Sequence, residues 1–371
     1  MTSSSFSAYR QAPVPSITVL VVDDSVVVRR LVSDSLEADA DLRVVATAAN
    51  GKIALARVPQ ANPDVVILDL EMPELDGLET LSLLRASRPR LPVIMFSTLT
   101  ERGAAATLEA LARGASDYVA KPANVGGVQE AMARIRDQLI PRIKALCGRV
   151  PPARPIAITA PAVVPQRREG LPAAVELVAV GVSTGGPAAL ERLFGDLPGD
   201  LGVPVVVVQH MPPVFTDMLA RRLDARSALA VAEARSGVVL AANEAWIAPG
   251  DFHLSLERHG ETVALRTTSD PPENSCRPAV DVLFRSAAHV YGPGVLAVVM
   301  TGMGQDGWRG AEHVVEAGGT VLAQDEASSV VWGMPGYVAS AGLAERVLPL
   351  DQLAAAVVRR ARRREPARGA S

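Results

Sequence analysis

The stretch "VELVAVGVSTGGPAAL", residues 175–190, carries the pattern that decides the fold. An apolar run predicts a buried β-strand, a glycine-rich turn follows it, and Pro187 suits the first positions of a helix. The same stretch contains "GVSTG", which satisfies G-x-S-x-G, the pattern of a serine nucleophile on a strand-to-helix turn. Ser183 or Thr184 could equally be a structural cap of that helix, and the local sequence leaves both interpretations open.

Composition restricts the class of protein. The chain has 371 residues, of which 49% are hydrophobic and 21% charged, which favours two domains with ordinary buried cores. A net charge of -3 argues against a nucleic-acid-binding protein. Cys147 and Cys276 lie far apart, and no apolar run is long enough to span a membrane. We therefore expect a soluble protein of the reducing cytoplasm.

Four regions follow one another along the chain. Residues 1–15 lack the apolar segment of a signal peptide and are expected to be a disordered leader. Residues 16–147 alternate apolar runs with amphipathic segments, which predicts an α/β fold with a doubly wound parallel sheet. Residues 148–173 are rich in proline and alanine and are predicted to be a stiff linker. Residues 174–365 return to the α/β pattern, with residues 228–268 interpreted as a β-hairpin insertion.

Acidic residues follow two predicted strands of the first domain. Asp23 and Asp24 end its first strand, and Asp69 ends its third. The carboxyl ends of parallel strands meet at one crevice, where three carboxylates would repel one another unless a cation such as Mg2+ lay among them. The alternative for Asp23 and Asp24 is that they cap the next helix.

Two further strands bring complementary groups to the same edge. The fourth predicted strand ends in Ser97 and Thr98, and the fifth leads to Lys121. Hydroxyl groups can bind a phosphoryl oxygen, and a lysine supplies a counter-charge. The set therefore suits phosphoryl transfer onto Asp69.

Several motifs of this region resemble those of response-regulator receiver domains. They are "VVDDS", "VVILDLEMPELDG", "FST" and "GASDYVAKP". The resemblance implies a flavodoxin-like fold and a phospho-acceptor at Asp69. It also implies Mg2+ ligands at Asp23, Asp24 and Asp69, switch residues at Ser97 and Tyr118, and the invariant lysine at Lys121.

A serine, a histidine and an aspartate follow three strands of the second domain. The strand after Ser183 ends in His210, where a dinucleotide-binding fold would place an acidic residue. A later strand, "GVLAVVM", leads into "TGMGQDG" and Asp306. An ordinary α/β-hydrolase runs Ser, acid, His, so this order excludes that fold family. Because all three groups lie at one sheet edge, they are predicted to form a catalytic triad.

The other histidines are predicted to be structural or surface residues. His253 falls in an alternating, half-exposed strand and His259 in a turn, while His289 and His313 fall within helical patterns. No pair has the spacing of zinc ligands, which argues against a zinc hydrolase.

Residues of about 174–350 resemble the catalytic domain of chemotaxis protein-glutamate methylesterases, the CheB family. The motifs are "GVSTGGPAAL", "VVVVQHMPPVFT", "NEAWIAPGDFHL", "CRPAVDVLFRSAA" and "VVMTGMGQDGWRG". The resemblance implies a Rossmann-like domain and a serine hydrolase. Its implied site is Ser183 as nucleophile, His210 as base, Asp306 as orienting acid, and the backbone N–H groups of Thr184 and Met303 as oxyanion donors.

By the same resemblance, the expected reactions are demethylation of glutamate methyl esters and deamidation of glutamines on methyl-accepting chemotaxis receptors. Mg2+ is expected in the receiver domain, and no cofactor for the esterase reaction. The expected partners are the cytoplasmic helices of methylated chemoreceptors and a chemotaxis histidine kinase as phosphodonor. The protein would be peripheral to the membrane through receptors only, and a monomer is expected. The unphosphorylated receiver is expected to cover the Ser183 crevice until Asp69 is phosphorylated.

Two rival classes of protein fit the sequence less well. A receiver-coupled transcription factor would need a helix-turn-helix pattern or a basic reading face, and the second half has neither. A catalytically inactive adaptor is disfavoured by the intact set of Ser183, His210 and Asp306.

Overall fold

The structure is a computed structural model that describes residues 16–98, 100–122, 126–148 and 173–362. The predicted leader, and all but the two end residues of the predicted linker, lie outside the described residues. Within the described ranges, no helix combines the length and the apolar character needed to cross a membrane.

The N-terminal domain is built on a five-stranded parallel sheet in the order β2-β1-β3-β4-β5, which is the flavodoxin-like doubly wound order. Its strands are β1 (Ile17–Val22), β2 (Leu42–Ala48), β3 (Val65–Asp69), β4 (Val93–Ser97) and β5 (Asp117–Ala120). Its helices are α1 (Val26–Glu37), α2 (Gly51–Ala61), α3 (Gly77–Ser87), α4 (Glu101–Ala112) and α5 (Val128–Leu146). The predicted strands and sheet type are confirmed.

Alternation along β1 explains why both faces of this sheet are covered by helices. Val19 and Val21 belong to the buried cluster that contains residues of α1 and α5, whereas Leu20 and Val22 belong to the cluster on the opposite face. A strand buried on both sides reads as a continuous apolar run, as "ITVLVV" does.

The C-terminal domain contains a seven-stranded parallel sheet in the order β14-β13-β12-β6-β7-β9-β8 and a separate antiparallel hairpin of β10 and β11. Its strands are β6 (Leu177–Val182), β7 (Val205–Gln209), β8 (Ala230–Glu233), β9 (Glu244–Ile247), β10 (His253–His259), β11 (Thr262–Thr268), β12 (Val295–Val299), β13 (Thr320–Gln324) and β14 (Arg346–Leu348). Its helices are α6 (Gly186–Asp196), α7 (Phe215–Asp224), α8 (Val280–Tyr291), α9 (Trp308–Glu316), α10 (Met334–Ser340) and α11 (Leu350–Ala361). The predicted doubly wound α/β class is confirmed for this domain as well.

The predicted extent of the hairpin insertion was wrong. Only β10 and β11 form the hairpin, while β8 and β9 extend the main sheet, with β9 pairing in parallel with β7. These two strands are four residues each and bury the side chains of Val231, Ala245 and Ile247. Strands this short carry too little periodicity to be recognised from the sequence.

The two domains share one buried apolar cluster. Helix α4 of the first domain packs against α6 and α7 of the second, and Leu108 and Leu111 belong to the same cluster as Leu190 and Leu219. The ring of Tyr118 stacks on that of Phe215, with centroids 4.8 Å apart. The face of the receiver formed by α4 and β5 therefore lies directly on the second domain.

Candidate active site and receiver pocket

Ser183 lies at the centre of the larger sheet. It follows β6, which has β7 on one side and β12 on the other. Its backbone N–H donates to Thr301 O at 3.0 Å, and His210 N donates to Val182 O at 3.3 Å, so the residues that follow three adjacent strands meet here. The chain runs from β6 outward to β7 and returns later to β12, which makes this edge a topological switch point, where α/β sheets bind their ligands.

Neither Ser183 nor Thr184 caps helix α6. The N-cap is Gly185, with φ of +76°, and no side chain caps the helix. A left-handed residue without a Cβ is required there, because a Cβ at Gly185 would lie 2.5 Å from Val330 Cγ2. The capping alternative is therefore wrong, and the side chain of Ser183 is left available for chemistry.

His210 and Asp306 form a direct pair. Nε2 of His210 lies 2.8 Å from Oδ2 of Asp306, and the aspartate is buried. Backbone N–H groups also donate to this carboxylate, from Val280 at 2.7 Å, Asp281 at 3.0 Å and Gly307 at 3.0 Å. The first two open helix α8, so the positive end of a helix dipole faces the charge.

Each member of this pair stabilises the charged form of the other. Burial raises the pKa of Asp306. The opposing effects are larger and hold that pKa below its ordinary value: the hydrogen bond and positive charge of His210, and then the backbone donors. Burial lowers the pKa of His210, and here again the partners, Asp306 above all and then Cys276, outweigh burial and raise it. The site is therefore suited to stabilising a positive imidazole, as a base that has just accepted a proton requires.

The structure joins two members of the predicted triad by a hydrogen bond and brings the third to the same edge. Ser183 Oγ makes no hydrogen bond to any of the described residues, and the free nitrogen of His210, Nδ1, lies 3.5 Å from Cys276 Sγ. Catalytic hydrogen bonds are often long in a free enzyme and tighten when substrate binds. For the predicted oxyanion donors, Thr184 is buried and Met303 is half-buried, and their assignment stays a prediction.

A tight turn of residues 273–276, which no sequence motif placed here, completes this site. Asn274 Nδ2 donates to Asp306 Oδ1 at 2.9 Å and to Asp281 Oδ2 at 2.8 Å. Asn274 and Ser275 have φ of +52° and +62°, so the two central residues of the turn are left-handed. The signal in the sequence was the dipeptide Asn-Ser, since asparagine tolerates this conformation better than most residues.

His253 is buried rather than half-exposed, which corrects the expectation for its strand. Its Nε2 lies 3.0 Å from Pro271 O, and Ala279 N donates to its Nδ1 at 3.2 Å. Both ring nitrogens are therefore used to hold the chain, and the predicted non-catalytic role fits this geometry.

The charged side chains predicted for the receiver pocket lie together. Lys121 Nζ lies 2.8 Å from Asp23 Oδ2 and 2.8 Å from Asp69 Oδ1. Burial raises the pKa of Asp69 to about 6, although Lys121 opposes the shift. Burial lowers the pKa of Lys121, but the two carboxylates raise it above its ordinary value.

The donor set of this pocket fits a hard cation. One carboxylate oxygen from each of Asp23, Asp24 and Asp69 lies within 4.8 Å of the other two. Oxygen ligands of this kind are those that Mg2+ prefers. Helix α1 is capped by Ser25, whose Oγ accepts from Val28 N, so the alternative role of Asp23 and Asp24 as caps is wrong.

The two predicted switch residues make different contacts. Ser97 Oγ lies 2.7 Å from Thr107 Oγ1 on helix α4, and both residues are buried. Tyr118 reaches across the domain boundary to Phe215. The end of β4 is therefore linked to α4, and the end of β5 to the second domain.

Asp117, beside Tyr118, is a site residue that the sequence did not indicate. Thr184 Oγ1 donates to Asp117 Oδ2 at 2.9 Å, which joins the receiver to the residue directly after Ser183. Arg142 Nε donates to the same oxygen at 3.1 Å. Burial raises the pKa of Asp117, and the positive charge of Arg142 opposes this shift.

Two family models match the chain in the order in which the domains occur. The response regulator receiver domain matches residues 19–133, and the CheB methylesterase matches residues 178–357.

Curated relatives match almost the whole chain. A protein-glutamate methylesterase/protein-glutamine glutaminase of Trichodesmium erythraeum is 52% identical over 354 residues, which cover 93% of this chain and 99% of that protein. A protein of the same name from Nocardioides sp. is 54% identical over 363 residues, covering 95% of this chain and 97% of its own. The chain therefore belongs to the protein-glutamate methylesterase/protein-glutamine glutaminase family, with a receiver domain ahead of its CheB methylesterase domain.

Proposed function

We propose that this chain is a phosphorylation-activated serine hydrolase that demethylates glutamate methyl esters on chemotaxis receptors and deamidates specific receptor glutamines. The observation that carries the proposal is the His210–Asp306 pair, with 2.8 Å between Nε2 and Oδ2, beside Ser183 at the switch point of the sheet. Membership of the methylesterase/glutaminase family supplies the substrate class.

The reaction uses the one ring nitrogen of His210 that Asp306 leaves free. Nδ1 takes the proton of Ser183 Oγ as that oxygen attacks the ester carbonyl, and Asp306 stabilises the resulting imidazolium. The imidazolium returns its proton to the departing methoxide, so methanol leaves and an acyl-serine remains. Water, activated by the same imidazole, then releases the glutamate carboxylate. With a glutamine substrate, ammonia leaves in place of methanol.

The backbone N–H groups of Thr184 and Met303 are the proposed oxyanion donors. Thr184 directly follows the nucleophile at the start of the turn into α6, where backbone N–H groups are free of helical partners. Donors fixed in this way stabilise the negative charge of a tetrahedral intermediate without reorganisation.

Regulation is proposed to begin at Asp69. A chemotaxis histidine kinase is the proposed phosphodonor, and an apolar groove beside Lys121, lined by Val26, Leu31, Val128 and Met132, offers it a surface. Asp23, Asp24 and Asp69 would hold Mg2+, which supplies charge neutralisation for phosphoryl transfer when bound. Lys121 then pairs with the phosphoryl group in place of the Asp69 carboxylate.

The unphosphorylated receiver is proposed to hold the active site closed through β5. Asp117 accepts from Thr184 Oγ1, and Tyr118 stacks on Phe215 at the start of α7. A phosphoryl group at Asp69 would accept a hydrogen bond from the hydroxyl of Ser97. The contact between Ser97 and Thr107 would then break, and α4, which carries Thr107, would shift against the second domain. Deletion of residues 1–147 should therefore raise the basal activity, and an unchanged basal activity would count against closure.

The remaining assignments are proposals from the sequence and the family. Residues 16–147 are assigned to the receiver domain and 174–365 to the catalytic domain, and the two family-model matches fall inside these ranges. The protein is proposed to be a cytoplasmic monomer that reaches the membrane only through its receptors.

Methanol release from receptor membranes carrying labelled methyl esters tests the function directly. Ser183→Ala should lower the rate by about 10^4-fold or more, because the nucleophile is removed. Ser255→Ala, on the hairpin, is the matched control and should stay within about twofold of the wild type. A Ser183→Ala protein with near-normal methanol release would rule out the serine mechanism.

A further inference from the structure

The thiol of Cys276 faces the ring nitrogen of His210 that the proposed mechanism requires. Sγ lies 3.5 Å from Nδ1, while Nε2 on the far side of the ring lies 2.8 Å from Asp306 Oδ2. Thiol, imidazole and carboxylate thus follow one another in the order found where a cysteine is activated by a histidine. We propose that Cys276 is a site of reversible oxidation by hydrogen peroxide and that its oxidation switches off the esterase. The second half of this proposal rests on the proposed function.

The turn that carries Cys276 is held rigidly against the catalytic pair. Glu273 and Cys276 exchange backbone hydrogen bonds at 3.1 and 2.9 Å, which closes the turn. Asn274 within it donates to Asp306, and Glu273 makes a two-pronged ion pair with Arg285 at 2.6 and 2.7 Å. The sulfur is therefore fixed beside the imidazole by three separate attachments.

The geometry gives the sulfur a proton acceptor. His210 Nδ1, 3.5 Å away, is placed to take the Cys276 proton as the sulfur reacts, and the Asp306 carboxylate on the far side of the ring stabilises the positive imidazole that results. The charged side chains on either side of the sulfur are paired, Glu273 with Arg285 at 2.6 Å and Arg277 with Asp251 at 3.6 Å. Cys276 is also half-buried rather than enclosed, so a small oxidant can reach it.

The oxidation step balances without any further reagent. The Cys276 thiolate attacks one oxygen of hydrogen peroxide, an S–O bond forms and the O–O bond breaks. The second oxygen leaves as hydroxide and takes the proton from His210 Nδ1, so the products are a sulfenic acid and water. Sulfur loses two electrons and the peroxide gains them. A dithiol reverses the change, giving the thiol, a disulfide and water.

Oxidation would block the base. The added oxygen on Sγ enters the 3.5 Å gap in front of Nδ1 and can donate its O–H to that nitrogen. Nδ1 is the atom that must take the proton of Ser183, so hydrolysis stops until the sulfur is reduced.

The first experiment measures the thiol itself and does not depend on esterase activity. The full-length reduced chain is treated with hydrogen peroxide in the presence of dimedone, which traps sulfenic acids, and the adducts at Cys276 and Cys147 are quantified by mass spectrometry. The Cys276 adduct should form about tenfold faster in the native protein than in urea, because only the fold places an imidazole beside it. Cys147, the internal reference at the end of α5, should show no such acceleration. A Cys276 that reacts more slowly in the native protein than in urea would overturn the proposal.

Variants and activity complete the test. His210→Gln and Asp306→Asn should each reduce the native Cys276 rate towards its rate in urea, and thermal melts identify any variant that fails to fold. Persistence of the full rate in a folded His210→Gln protein contradicts the proposal.

The second readout is the esterase activity. Peroxide should abolish wild-type methanol release, and dithiothreitol should restore it. Peroxide-treated Cys276→Ser should release methanol at the same rate as untreated Cys276→Ser. Equal losses in wild type and Cys276→Ser would overturn the regulatory role. Absence of methanol release in every untreated sample would refute the proposed function. Oxidation of Cys276 would still be tested by the dimedone experiment, which does not depend on esterase activity.

Discussion

The receiver pocket and the esterase crevice lie at the same edge of two similar sheets, yet they differ in how complete they are. In the receiver, Lys121 already bridges Asp23 and Asp69 at 2.8 Å each. In the esterase crevice, His210 and Asp306 are joined at 2.8 Å, whereas Ser183 Oγ has no hydrogen bond among the described residues. The residue after Ser183 is instead bonded to Asp117 of the receiver. One site is assembled within its own domain, and the other is held by a contact from its neighbour.

Under the proposed regulation, this difference is how one domain would control the other. The receiver needs its charges in place to accept a phosphoryl group at any time. In the proposed mechanism, assembly of the esterase site depends on the contact between the domains, so a small shift of that contact would change the population of the active arrangement.

Replacing Asp306 tests the preassembled half of the crevice and should have the largest effect. Asp306→Asn should lower kcat/KM for methyl-ester hydrolysis by about 10^4-fold, because the imidazole loses its orienting charge. Asp306 raises the pKa of His210, and the base must be unprotonated, so kcat/KM falls as the pH drops through that pKa. Loss of the carboxylate lowers this pKa, and the acidic limb of the pH profile should move to lower pH. Asp224→Asn, on the surface at the end of α7, is the control and should leave both the rate and the profile unchanged.

Replacing Asp69 tests whether the receiver pocket acts on the crevice. Asp69→Asn should abolish the stimulation of methanol release by a small phosphodonor, a stimulation expected in the range of about 5- to 150-fold for an allosteric coupling. Asp76→Asn is the matched control, since Asp76 caps α3 in the following loop and asparagine caps equally well. Stimulation that survives in Asp69→Asn would remove the receiver pocket from the regulation.

Weakening the aromatic contact between the domains should have a moderate effect. Tyr118→Ala removes the stacking on Phe215, and such pairs contribute about 0.5–1.5 kcal/mol. The basal activity without phosphodonor should therefore rise by about 2- to 12-fold. Tyr118→Phe keeps the ring and serves as the control, with basal activity close to the wild type. A fall in basal activity in Tyr118→Ala would show that the contact supports the esterase instead of closing it.

The ion pair at the domain boundary should have the smallest effect. Arg222 on α7 donates to Glu109 of the receiver at 3.1 Å and to Glu191 of its own domain. Glu109→Gln weakens this contact and also the pair that Glu109 makes with Arg113 at the end of its own helix at 2.9 Å, and partly exposed pairs of this kind are each worth less than about 1 kcal/mol. We expect a rise in basal activity of about twofold that disappears at high salt. Glu130→Gln, which breaks a pair with Arg134 inside the receiver, should have no effect on the esterase.

The sequence by itself determined the fold class and most of the candidate site. Asp23, Asp69, Lys121, His210 and Asp306 could be located because each follows a recognisable buried strand. The carboxyl ends of parallel strands necessarily meet at one edge, so strand order along the chain predicts which side chains converge. The receiver and methylesterase motifs, matched over 19–133 and 178–357, were readable for the same reason.

Only the tertiary structure decided which other residues contact these site residues. It showed that Gly185 rather than Ser183 caps α6, that Asn274 and Cys276 reach the His210–Asp306 pair, and that Asp117 binds Thr184 from the other domain. These contacts join residues far apart in the chain, and they depend on how a turn and a domain face are packed. Local propensity and hydrophobic periodicity contain no information on such packing, because both describe a residue relative to its neighbours in sequence.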